Sequence, residues 1–151
     1  MNKVTLTTTL ELLKQHRACE SGYRKLKKSL GAAWPKDKPI NLLQVLESNG
    51  VQDMLWCLRA TEQDCLKQRY LICADMAESV LHLFTAKYPN DNRPRLAIDA
   101  ARKVASGEKD SAYAADAAYA AVDADYADYA AAYAVYAERE KQAAIIRRYL
   151  K

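Results

Sequence analysis

The side chains able to do chemistry are few and scattered. His16 and His82 are the only imidazoles, and each sits alone in a stretch of helical composition. Nucleophilic catalysis needs a hydroxyl or thiol beside such a base and an oxyanion site, so both histidines read as surface or boundary residues. Cys19, Cys57, Cys65 and Cys73 form no Cys-x-x-Cys pair and lie among Leu, Ile, Tyr and Met. They read as small core residues, since structural zinc needs Cys or His sets at short spacing. Asp125 and Asp128 are near enough for paired-carboxylate chemistry, but at helical spacing they read as a solvated flank. No two glycines are close enough for a phosphate loop, and no Glu-x-x-His unit suits a di-metal bundle. The expectation is a chain that is not an enzyme and uses no cofactor or metal.

What remains is recognition chemistry. Arg93 and Arg95 flank Pro94, and two readings stand for them. As structure they pair with Asp91, Asp99 or a helix end; as function their guanidinium forks suit a partner's carboxylate or phosphate. The net charge of +4 is uneven: residues 1–40 carry nine Lys and Arg against three acids, and residues 111–137 carry none against four. Arg24, Lys25, Lys27, Lys28, Lys36 and Lys38 make one basic patch, and Arg147, Arg148 and Lys151 another. Either could hold phosphate, but no helix-turn-helix pattern accompanies them, which leaves nucleic-acid binding the weaker reading.

The elements that must position these groups are helical. Four Gly and four Pro in 151 residues leave few turns, and Ala, Leu, Lys and Glu dominate. The chain is expected to be all-α and a single domain of residues 1–151. Residues 1–60 should hold short helices and a loop at 31–40, with Thr8 and Glu11 at capping-box spacing opening the first, over Thr9 to His16. Further short helices are expected over Glu20–Leu30, Leu42–Ser48 after an Asn41 cap, and Val51–Arg59. Thr61 and Asp64 offer the start of a long helix over 61–88, with Leu66, Tyr70, Cys73, Ala77, Leu81 and Phe84 as its apolar stripe. A helix over 94–106 follows Asp91-Asn92-Arg93-Pro94, which reads as a cap with proline near the first helical position. Asp110 or Ser111 would cap a last helix over 110–150. Straight, that helix would be roughly 60 Å long, against a domain diameter near ~40 Å, so it must bend, split, project or lie along a partner.

Six of the ten tyrosines fall within 111–137, a segment with fourteen Ala, four Asp and no Lys or Arg. Tyr119, Tyr126 and Tyr133 recur every seven residues, with Val122, Tyr129 and Tyr136 three residues after each. Five tyrosines thus share one stripe. Ala117, Ala120, Ala124, Ala127, Ala131 and Ala134 form a second seam, while Asp116 and Asp123 border one edge of the tyrosines and Asp125 and Asp128 the other. The stripe is either core, with phenol oxygens reaching the domain edge, or a surface for a partner or a second copy; rigid rings give contact area at low entropy cost.

Ala18-Cys19-Glu20-Ser21-Gly22, Leu55-Trp56-Cys57-Leu58-Arg59, the turn from Tyr88 to Ile98 (YPNDNRPRLAI) and the Ala/Tyr/Asp tail together resemble the immunity proteins of bacterial polymorphic toxin systems, also carried by phages and prophages. The likeness runs over nearly the whole chain. Asn92 and Leu96 depart from it, standing where charged residues are expected. The resemblance implies an all-helical cytosolic protein of the immunity class and brings no mechanism; the expectation is a protein that binds and neutralises a toxin or a host-defence component, as an immunity or phage anti-defence inhibitor. The partner-binding residues expected are Tyr119, Tyr126, Tyr129, Tyr133, Tyr136, Asp116, Asp123, Asp125, Asp128, Arg93 and Arg95. Two other readings are a nucleic-acid-binding accessory protein using the basic N-terminal region, and a homodimeric structural protein assembled through the long helix. No apolar run has signal-peptide or membrane-helix length, which points to the cytoplasm and to no membrane partner.

Overall fold

The computed structural model describes residues 5–110, 112–113 and 139–150. Over them the chain is helical apart from one ribbon: β1 (Thr7–Thr8), α1 (Leu10–Gln15), α2 (Glu20–Leu30), β2 (Ile40–Asn41), α3 (Leu42–Asn49), α4 (Val51–Cys57), α5 (Leu66–Lys87), α6 (Arg93–Ser106) and α7 (Arg139–Leu150). The all-α expectation is met. Contacts gather into two units, Met1–Cys65 with Ile146–Lys151, and Leu66–Ile145.

The ribbon at the head of the first unit was not expected. Thr5, Thr7, Thr8 and Thr9 are β-branched and favour extended backbone. Thr7 pairs antiparallel with Asn41 and Thr8 with Ile40. Glu62 N donates to Thr7 O at 2.9 Å, and the Gln63 amide closes on Thr7 from the same side, its Oε1 accepting from Thr7 N and its Nε2 donating to Thr7 Oγ1, both at 2.8 Å. Thr8 Oγ1 donates to the Ala60 carbonyl at 2.5 Å in a buried position. With Thr8 so engaged, the capping box expected from Thr8 and Glu11 does not form. Thr9 caps α1 instead, its Oγ1 accepting from Leu12 N at 3.0 Å.

Residues 61–63 are occupied in the same contacts, which explains why α5 starts at Leu66 and not near Thr61. Thr61 Oγ1 donates to Gln63 O at 2.8 Å, and Cys65 Sγ donates to Leu58 O at 3.1 Å. The bounds of α2 and the cap of α3 agree with expectation. α2 spans Glu20–Leu30, and Asn41 caps α3 in a full capping box, its Oδ1 accepting from Leu43 N while Gln44 Oε1 accepts from Asn41 N. Gly50, at φ 94° and ψ −176°, joins α3 to α4 in a backbone region that only glycine visits readily. α4 ends at Cys57, and the chain winds on through tighter i to i−3 bonds, Leu58 N to Leu55 O and Arg59 N to Trp56 O. Leu6, Ile40, Leu42, Val45 and Met54 are fully excluded from solvent at the centre of this unit. Each contributes about 1.5–3 kcal/mol by burial.

In the second unit α5 lies against α6, and Ala74, Leu81 and Ile98 form the core with Ala101 beside it. The stripe expected on α5 is partly displaced. Leu81 and Phe84 are buried as expected, but Ile72 and Ala74 are buried in place of Leu66, Cys73 and Ala77, which are exposed. An apolar repeat identifies a helix, yet several adjacent stripes satisfy three-four spacing and tertiary packing selects among them. Pro89 follows α5, and α6 runs to Ser106 with Gly107 after it, as expected. Tyr113 N donates to Asp110 Oδ1 at 3.0 Å, so Asp110 supplies the expected cap at the start of the last stretch. In α7, Gln142, Ile145, Ile146 and Leu150 are buried. Among the described residues no helix is long and apolar enough to cross a membrane.

Candidate functional site

Arg93 takes its structural reading. The turn between α5 and α6 places the Asp91 carboxylate against it, with Arg93 Nε donating to Oδ1 and Oδ2 at 2.9 and 3.1 Å and Nη2 to Oδ2 at 2.6 Å. The same carboxylate accepts from Arg93 N at 3.0 Å, the bond expected of a cap, while the Asn92 side chain makes no cap bond. The Arg93 side-chain and backbone donors hold the Asp91 carboxyl below its ordinary range. Arg95, two residues on, is exposed on α6. The two guanidinium groups therefore stand differently: Arg93 is engaged by the turn, and Arg95 faces solvent.

A third arginine, which sequence reading missed, ties the helices together. Arg102 Nη2 reaches Asp75 Oδ1 at 3.0 Å and Glu78 Oε2 at 2.5 Å, and Nη1 donates to Glu78 Oε1 at 3.3 Å. These hydrogen bonds hold the Glu78 carboxyl below its ordinary range, with the nearby Arg95 charge adding to the effect, and push the Arg102 guanidinium further up. Asp75 and Glu78 share an α5 face by their three-residue spacing. Nothing in the sequence names a partner 24 or 27 residues away.

The remaining expected contact residues, Tyr119, Tyr126, Tyr129, Tyr133, Tyr136, Asp116, Asp123, Asp125 and Asp128, lie outside the described residues, as does the alanine seam. Just before them Tyr113 is 41% exposed, with Lys109 Nζ 5.4 Å from its ring centroid. The basic patch on α2 is on the surface: Arg24, Lys25, Lys27 and Lys28 are exposed, and Arg24 pairs with Glu20 one turn back. His16 and His82 are exposed too. The cysteines divide. Cys57 and Cys65 are buried as expected, whereas Cys19, just before α2, and Cys73, on α5, are exposed. Burial, with the Asp53 charge adding to it, pushes the Cys57 thiol up to about 12, so it stays protonated and inert. No cluster of three His, Cys, Asp or Glu side chains among the described residues could hold a metal ion.

A family model described as Imm-5 like putative immunity protein matches residues 59–145, more than half of the chain. The match takes in α5, α6, the Arg93 turn and all of the tyrosine and aspartate segment, while Ala18–Gly22 and Leu55–Leu58 precede it. No curated protein and no solved structure matches. With the match covering more than half of its length, α5 and α6 included, the chain belongs to the Imm-5 like immunity protein family.

Proposed function

We propose that this protein acts without catalysis, by binding and covering the working surface of another protein, a toxin or a host-defence component. The observation that carries this reading is the family match, whose 59–145 span contains the entire 111–137 segment. The family name supplies the class of partner, and the segment supplies a surface to meet it. Four aspartates without a lysine or arginine give this stretch a uniformly negative field, which steers onto a cationic patch such as the nucleic-acid cleft of a nuclease. The tyrosines supply the rigid, water-tolerant contact area typical of interface hot spots. Arg95, exposed on α6, is a fork suited to a partner's carboxylate or phosphate.

Affinity capture of the tagged chain from its host, read by mass spectrometry, identifies the partner, and growth rescue of cells expressing that partner tests neutralisation. Substitution of Tyr126 and Tyr129 by Ala and of Asp125 by Asn should abolish capture and rescue while leaving the thermal midpoint in place. A variant that loses stability yet still captures its partner refutes this assignment, because a core seam behaves that way. A nucleic-acid-binding role has one observation in its favour, the exposure of Lys25, Lys27 and Lys28 on one helix with no acidic partner among the described residues. A mobility shift at low salt that disappears on charge reversal of these three lysines would establish it.

A further inference from the structure

The first unit contains a cavity of about 210 Å³, open to solvent, at the junction of α2, α3 and α4. Its walls are mainly apolar, with Leu13, Leu26 and Val45 joined by the rings of Tyr23 and Trp56, and one carboxylate, Asp53, among them. All of these residues precede the family match.

The carboxylate is held in place. Asn49 Nδ2 donates to Asp53 Oδ2 at 2.7 Å and to the Gly22 carbonyl at 2.9 Å, fixing the side chain between α2 and α4. Gly22 makes room for it, because a Cβ there would come within 2.8 Å of Asp53 Oδ2. A glycine inside α2 costs about 1 kcal/mol of helix propensity relative to alanine, and its effect is to let this carboxylate sit against the helix. Oδ1 takes no donor from the described residues, which leaves it to accept from a guest.

The charges around the rim narrow the guest further. Lys14 Nζ lies 5.2 Å from the Tyr23 ring centroid and Arg59 Cζ 5.1 Å from that of Trp56, so the two aromatic walls already carry cations and would repel a third. Asp53 repels an anion from inside. A neutral ring satisfies both conditions, and the volume exceeds the cavity of about 150 Å³ that accepts benzene. We propose that this cavity binds a small neutral aromatic molecule bearing one O–H or N–H donor, of the phenol or indole class, with the ring between Tyr23 and Trp56 and the donor on Asp53.

4-Fluorophenol followed by ¹⁹F NMR tests this on the full chain, with fluorobenzene as the ring that lacks a donor. A single hydrogen bond to a carboxylate should make the phenol bind about tenfold more tightly than fluorobenzene. That advantage should vanish in Asp53→Asn. Cys19 lines the same cavity and is exposed, whereas Cys57 stays protonated, so saturating 4-fluorophenol should slow iodoacetamide alkylation of Cys19 and leave that of Cys73 unchanged. The alkylation readout needs no substitution, so it decides the matter even where Asp53→Asn fails to fold. Equal binding of the two rings, a phenol preference that survives in folded Asp53→Asn, no saturable binding, or unprotected Cys19 would each overturn the proposal.

Discussion

In the unit that begins the chain, the side chains from Leu6 to Met54 close a centre of several fully excluded residues, and Thr7 and Thr8 reach across more than fifty positions to bond with residues 60–63. The α5–α6 pair is built otherwise. Its core is the small group of Ala74, Leu81 and Ile98, and one arginine on two carboxylates links the helices at their flank. Short elements satisfy few of their own backbone groups, so the first unit depends on long-range bonds and dense packing. Long helices satisfy theirs internally and need little more than one shared face. The family match lies across the second and stops short of most of the first.

The sharpest way to break this contrast is to remove volume from the first core. Met54→Ala should cost about 2–5 kcal/mol in urea denaturation, because Met54 is fully buried. Next in size is Thr8→Val, which strands the Ala60 carbonyl and should cost about 1–3 kcal/mol by the same measurement. Either value falling below half a kilocalorie, on the order of an ordinary surface change, would mean that the first unit is looser than its contacts suggest.

The second region should respond more weakly. Arg102→Met should cost about 0.5–1 kcal/mol at low salt, since its partners are partly exposed and screened. The accompanying pH effect has a definite sign. The folded-state carboxyl of Glu78 is lowered, so its contribution is complete above the ordinary value of 4.5 and is lost as pH falls through the folded value. Thermal melts of wild type should therefore lose more on acidification below that value than those of Glu78→Gln. The smallest effect belongs to Leu96→Ala, at 53% exposure, which should shift stability by no more than about 0.5 kcal/mol. A larger loss there would show that Leu96 is covered in solution.

Several elements are legible in the sequence alone. The Asn41 cap, the end of α2 at Gly31, the stop of α5 near Pro89 and the Asp110 cap all rest on signals within a turn of their own residues. The structural reading of Arg93 was legible for the same reason, with its carboxylate two residues away. The ribbon was not, and with it went the identity of the first cap and the start of α5. Thr8 and Thr9 are equally good caps by type, and only the nearness of Ala60 decides which is free to serve.

The chain by itself determined the helical class, most of the described helix ends and the family resemblance, because propensity, capping and spacing act over a few residues. Tertiary structure alone decided which α5 stripe is buried, which of four thiols are sealed, which carboxylates Arg102 bridges, and that Tyr23, Trp56 and Asp53 meet around one cavity. Those outcomes depend on closing loops of tens of residues, and no local pattern encodes which distant side chain will be waiting at the other end.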